Sequence, residues 1–445
     1  MDNHPGRSLR RWQSPVMRPT LLPNLRRLWR DRQTVQLGTD PAGAVVLHLC
    51  RPELARVLDL LDGAHTEAAV VAAGEALGLT SAEVLSLVQA LRDEGLVVAA
   101  HALVPAGLPA PMHRRLSVEA AAIALRLRQQ APPPHTAHRD TAHSNTAAPS
   151  NATAHSNTAA HSDAAALSNT TARSDAAVHS NTTALSDATG TPRHKAGARR
   201  KPARTELPRN APAEVLRRRY ASRVVIAGDG PLLAPLAALL AASGVGHVDP
   251  VVDGVTGIGD VLVGGLLADE VGVSRAVATG SAVARYAPGV DLSAARTDHV
   301  DLVVRVGDRH PPALAGRGLR LASLARLELT VRLGTVLVGP LVRPAASPCR
   351  ACLDLHRRDR DPIWPVLAAQ LATAPPGDGE PCASATALAG VAFAADEVLA
   401  FLDGAASRTE AAIVEIPRAG ELRRREWVAH PRCDCRRRRR AAQNG

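Results

Sequence analysis

Two short cysteine pairs, Cys349-x-x-Cys352 and Cys433-x-Cys435, hold four of the six cysteines of this chain and stand about eighty residues apart. They constrain the fold more than any other feature. Four thiolates close a tetrahedral site around zinc, each sulfur about 2.3 Å from the metal. If the pairs meet, the C-terminal end must return to the segment near residue 350. Both pairs follow strand-like runs, "LELTVRLGTVLVGPLV" and "LRRREWVAH". Four protein ligands leave no open position for substrate, so the expected zinc is structural. The opening "MDNHPGRSLRRW" has no apolar run behind its charges. With so few cysteines, the expectation is a reducing cytoplasm, where close cysteine pairs bind metal more often than they form disulfides.

The 445 residues are 46% apolar but only 2% aromatic, so a core must be built from Ala, Val and Leu. The longest apolar stretch, "CASATALAGVAFAADEVLAFL", is broken by Asp396 and Glu397, which argues against a membrane span. Net charge is +11, gathered at the N-terminus, in "RHKAGARRKPAR" (193–204) and in "RRRRR" (436–440). Such runs can mark a nucleic-acid footprint, but they also solvate flexible ends. Of 53 basic residues only Lys195 and Lys201 are lysines.

Residues 130–212 carry a serine every sixth position from Ser144 to Ser186, each followed by Asn or Asp. The variable position is His, Pro, Leu or Arg, so no face can be buried, and the segment reads as a disordered hexamer-repeat linker. Before it, residues 18–100 read as a small winged-helix-like α+β module. "TVQLG" and "AVVLHL" form a hairpin, with Cys50 expected to be buried beside it. Three helices follow, stopped at Gly63, Gly78 and Gly95, the third with a capped start at Thr80 and Glu83. After the linker, residues 213–436 read as an α/β Rossmann-like domain. "RVVIAG", the turn "GDGP", the helix "LLAPLAALLAASG" and the strand "VGHVDPVVDG" make a βαβ unit. A helix in "VSRAVATGSAVARYAPG", a strand in "DLVVRVGD", the hairpin before the first cysteine pair, a helix over 383–403 and two final strands complete it. Residues 437–445 are a basic tail.

The Gly-rich βαβ unit, "PLVRPAASPCRACLDLH" after a hairpin, and the terminal cysteine pair after a strand resemble the ThiF/MoeB superfamily, the adenylate-forming enzymes related to ubiquitin-activating enzymes. The resemblance covers roughly residues 215–436. By layout alone, the N-terminal module resembles the peptide-recognition domains fused to ThiF-like proteins in pathways that modify ribosomal peptides. The resemblance implies ATP and magnesium as cofactors, a peptide or small protein as partner, and leaves homodimerisation, common in the family, open.

It also implies roles for particular residues. Gly228 and Gly230 match the nucleotide loop, with Leu233 in place of its third glycine, and Asp253 matches the acidic strand end that binds ribose. Arg275 stands where the family has a phosphate-binding lysine, and Asp308 where it has a magnesium-associated aspartate. The arginine that the family carries after the acidic strand end is missing from "TGIGDVLVGG". Cys382, at the start of the 383–403 helix, is the one candidate thiol nucleophile outside the zinc set, and a small core residue would look the same. The expectation is therefore a ThiF-like fold whose adenylation site is degenerate and which binds a peptide. The alternatives are an active adenylyltransferase of a peptide or small-protein C-terminus, with Arg275 replacing lysine, or a winged-helix DNA-binding regulator. Against nucleic acid, "TSAEVLSLVQALRDEGLV" carries one basic residue, Arg92.

Overall fold

The computed structural model describes residues 17–40, 43–104, 110–130, 212–295, 299–309, 323–344, 346–374 and 379–435. The hexamer repeat and the basic tail lie outside the described residues.

The N-terminal part opens with β1 (Pro19–Leu21), then β2 (Arg27–Trp29), β3 (Thr34–Leu37) and β4 (Val45–His48), the last three forming an antiparallel sheet in that order. Helices α1 (Leu54–Leu60), α2 (Glu67–Ala76) and α3 (Ser81–Asp93) follow, then β5 (Val97–Ala99), which pairs back on β1. The hairpin and three helices are as expected, and Thr80 and Glu83 exchange side-chain and backbone hydrogen bonds in a capping box. Cys50 corrects one expectation. It is exposed, because just past the end of β4 its neighbour Leu49 takes the buried position. A short helix α4 (Ala100–Leu103) and the long α5 (Ala110–Gln130) continue the module, and Ala121 and Leu125 of α5 enter its core. The core thus extends past residue 100.

After α6 (Pro212–Ala221) comes the Rossmann-like part: β6 (Arg223–Gly228), α7 (Leu233–Ala242), β7 (His247–Val251), α8 (Arg275–Tyr286), β8 (Leu302–Val306), β9 (Ala325–Arg332) and β10 (Thr335–Val342). The chain ends with α9 (Arg350–Arg360), α10 (Trp364–Thr373), α11 (Ser384–Asp403), β11 (Ala412–Arg418) and β12 (Glu421–Glu426). One seven-stranded sheet has the order β12-β11-β10-β9-β8-β6-β7. β7, β6, β8 and β9 run parallel, and the rest is an antiparallel meander. β6 and β8 are buried, Arg305 of β8 included, as parallel strands covered on both faces require.

α7 and α11 cover one face of this sheet, with Leu236, Leu240, Val391 and Val398 among its main core residues. α11 is long and apolar enough to cross a membrane by length and composition. Here it is a core helix: Glu397 is 1% exposed and accepts hydrogen bonds from Ser407, Arg408 and Thr409. The N-terminal module is joined to this domain by specific contacts. Arg30 makes a two-pronged ion pair with Asp361 at 2.7 Å, Leu28 packs on Trp364, Leu367 and Leu371, and Leu333 of the β9–β10 turn enters the N-terminal core.

Candidate functional site

β6 has β7 on one side and β8 on the other, so the carboxyl ends of β6 and β8 flank the point where strand order reverses, the place where such sheets bind ligands. Gly228 closes β6 with φ +145°, and a Cβ there would lie 1.8 Å from the Val306 carbonyl oxygen of β8. Gly230, with φ +90°, turns the chain into α7. Between them Asp229 is buried, and burial raises its carboxyl pKa against the pull of Arg26, Arg309 and Arg275. Asp229, Asp308, Arg309, Thr330 and Glu380 line a crevice together with Arg26 and Thr39 from the N-terminal module. Its volume is about 40 Å³, against about 300–1,000 Å³ for pockets that engulf a nucleotide-sized ligand.

The predicted residues are placed as follows. Gly230 and Asp308 reach this crevice, whereas Gly228 is buried behind it at the end of β6; Asp253 lies beyond the end of β7, its carboxylate 3.7 Å from Arg309. Arg275 starts α8 but does not project free. It is 5% exposed, and its Nε and Nη2 donate to Asp260 at 3.0 and 2.8 Å while Nη1 donates to the Asp253 carbonyl at 2.8 Å. Asp260 is itself 1% exposed, so the charge that would replace the family's lysine is neutralised by a buried partner. Asp308 accepts from Arg332 at 3.2 Å. Burial alone would raise its carboxyl, but Arg332, with Arg357, Arg350 and Arg305 behind it, holds the pKa below the ordinary value. A divalent cation at Asp308 would enter the field of four guanidinium groups.

Sequence reasoning missed three residues here. Asp229 was readable in "GDGP", where a carboxyl stands between the two glycines of the turn. Arg309, next to Asp308, gave no signal of reaching Asp253. Glu380 accepts the backbone N–H of Thr39 at 2.9 Å and of Leu333 at 2.6 Å, tying the N-terminal module to the β9–β10 turn, and burial pushes its pKa up to about 7. Cys382 is a core thiol: burial pushes it up to about 12, and its Sγ donates weakly to the Gly334 carbonyl.

The cysteine pairs do meet. Cys349 caps α9 and Cys352 sits in its first turn, with its N–H on the Cys349 carbonyl at 2.9 Å. Beyond β12, Trp427 N–H bonds to Ala411 and a turn at His430 delivers Cys433 and Cys435. Sγ–Sγ distances are 3.9 Å (349–352), 3.5 Å (349–433) and 3.3 Å (352–435), and all four sulfurs lie within 4.8 Å of one another. Ligands about 2.3 Å from a tetrahedral centre stand about 3.8 Å apart, so the four thiols fit zinc. Beside them His430 accepts the Arg432 N–H at Nδ1 and so presents Nε2–H to Asp359 at 2.8 Å, fixing the approach to the second pair.

No family model matches the chain, and no curated protein matches its sequence. Among solved structures it is similar to E. coli MccB with ATP (11% identity, TM-score 0.38, 94% of this chain and 98% of that one). It is also similar to E. coli MccB with AMPCPP and MccA (11%, 0.37, 93% and 98%), and to PaaA (16%, 0.36, 49% and 76%). Likeness at these TM-scores carries no functional inference.

Proposed function

We propose that the protein is a ThiF/MoeB-type scaffold with a degenerate adenylation site, a structural zinc, and a peptide or small protein as its partner. The observation that carries the reading is the fate of Arg275 and Asp308. Both residues that would handle phosphate and magnesium are engaged inside the protein, Arg275 by buried Asp260 and Asp308 by Arg332. Asp229 in the loop adds a carboxyl where phosphate oxygens would approach. Strand addition to the β2–β3–β4 sheet is the proposed route to the peptide. The outer edge of β2 is occupied, since the Gln370 side chain exchanges hydrogen bonds with the Trp29 backbone at 2.8 and 2.6 Å. Among the described residues no strand pairs with the outer edge of β4, where Val46 is exposed.

The active adenylyltransferase is the second reading. It is favoured by Gly230 and Asp308 standing at one crevice and by Arg26 and Arg309 lining it. ATP–pyrophosphate exchange with candidate peptides separates the two: the scaffold reading expects none. The DNA-regulator reading has no support, because Arg92, the one basic residue of α3, is ion-paired with Glu67.

A further inference from the structure

The sheet face opposite α7 and α11 is charged where it meets α9. Along β9, Leu327, Leu329 and Val331 point to the main core, so Glu328, Thr330 and Arg332 point to the other face. Arg305 of β8 stands directly opposite Glu328. Arg350 and Arg357 descend from α9, and Trp364 of α10 lies against Arg357 and Arg332, 4.7 and 5.9 Å from the two guanidinium carbons.

Arg305, Arg326, Arg332, Arg350 and Arg357 are matched by Asp308, Glu328, Asp354 and Glu380, one negative charge too few, and Asp354 is 39% exposed. The pairs are also loose. Arg305–Glu328 is 3.7 Å, Arg350–Glu328 3.3 Å, Arg332–Asp308 3.2 Å and Arg357–Asp354 3.7 Å, where saturated charged hydrogen bonds are about 2.7–2.9 Å. Arg305 is 4% exposed and Arg332 6% exposed. Yet Arg305 Nη2 and Arg332 Nε are buried with no hydrogen-bond partner among the described residues. Arg326 stands on the same face of β9, where Glu328, Arg350 and the Cys349 thiol act on it. Buried guanidinium donors left unpaired are costly, and burial with the adjacent Arg332 lowers Arg357 to about 10.

We propose that the arginine cluster between β8–β9 and α9 binds an oxyanion, a phosphate or a carboxylate, held by Arg305, Arg332, Arg350 and Arg357. The ligand supplies the missing negative charge and accepts the orphaned donors, which the flat fork of arginine suits. The four arginines are not among the residues lining the β6–β8 crevice, although Asp308 lines it and joins the two.

The test is calorimetric titration of the full-length protein in a phosphate-free buffer at fixed ionic strength. Inorganic phosphate is one probe and a blocked dipeptide with a free C-terminal carboxylate the other. Saturable binding of either at one site per chain is expected. Arg305→Met and, should that variant fail to fold, Arg357→Gln should each weaken it about tenfold or more, since hydrogen bonds to charged groups are among the strong ones. Arg285→Gln, whose partner Glu270 is elsewhere, should leave it unchanged. Preference for phosphate assigns a free or phosphorylated ligand, and preference for the dipeptide assigns a chain terminus. No saturable binding of either probe up to about 10 mM, an affinity weaker than about 3 kcal/mol, overturns the proposal. Binding that survives both arginine substitutions overturns it too.

Discussion

Replacing Arg275 with methionine asks whether this side chain is a structural clamp or a ligand-binding group. Methionine keeps the length of the stem and removes the guanidinium. In the protein that guanidinium makes two hydrogen bonds to Asp260 and one to the Asp253 carbonyl, at 2.8–3.0 Å. Without it, the Asp260 carboxylate, 1% exposed, keeps only the Gly257 N–H at 2.8 Å. Stranding one partner of a buried pair costs about 3–5 kcal/mol. With a urea slope of about 3 kcal/mol/M for a domain of this size, the unfolding midpoint should fall by about 1 M or more.

The companion variant decides the cause. Asp260→Asn removes the charge that Arg275 neutralises while keeping an acceptor for Gly257. The double variant should therefore lose less than the sum of the singles, with a coupling of about 0.5–3 kcal/mol. Urea unfolding followed by far-ultraviolet circular dichroism measures all four proteins. If Arg275→Met changes stability by less than about 0.5 kcal/mol, within the range of ordinary surface substitutions, the clamp is not structural. Arg275 would then be available to a ligand, and the degenerate-site reading loses its main support.

Further outcomes follow from the same geometry. Purified protein should contain about one zinc per chain, and Cys352→Ser should lose the metal and lower the melting temperature, read by elemental analysis and a thermal scan. Gly228→Ala should fail to give soluble folded protein, because its Cβ would sit 1.8 Å from the Val306 carbonyl oxygen; a normal melting curve would contradict this. Glu380, pushed up from 4.5 to about 7 by burial, binds its proton more tightly folded than unfolded. Its contribution to stability is therefore full in acid and lost as pH rises from about 4.5 through about 7. Glu380→Gln should remove that slope from a stability–pH profile, and an unchanged slope would show the carboxyl to be charged in the fold.

The elements most legible in the sequence were those whose signal is local. "RVVIAG" and "LLAPLAALLAASG" are continuous apolar runs, and they became β6 and α7. The Thr80–Glu83 box spans three residues and formed as expected. The cysteine pairs were legible because residue type and spacing limit what they can do. β1, β2 and β5, each three residues long, fall below the length at which alternation can be read. The Arg275–Asp260 clamp joins residues fifteen positions apart through a loop, and no period connects them. One missed feature did carry a signal. "ARLELTVR" alternates leucine and valine with Arg326, Glu328, Thr330 and Arg332, which on a central strand demands charged partners on a covering helix.

The central claim is that the adenylation site has lost its chemistry, and ATP–pyrophosphate exchange, paired with calorimetric ATP titration, tests it most directly. With Arg275 bound to Asp260 and Asp308 ringed by arginines, two preorganised contacts are missing, each worth about 2.7–4 kcal/mol of transition-state stabilisation in comparable sites. The account predicts exchange at background with any peptide and no micromolar binding of ATP. Micromolar ATP affinity together with exchange that disappears in Asp308→Ala would contradict it and establish the protein as a working adenylyltransferase.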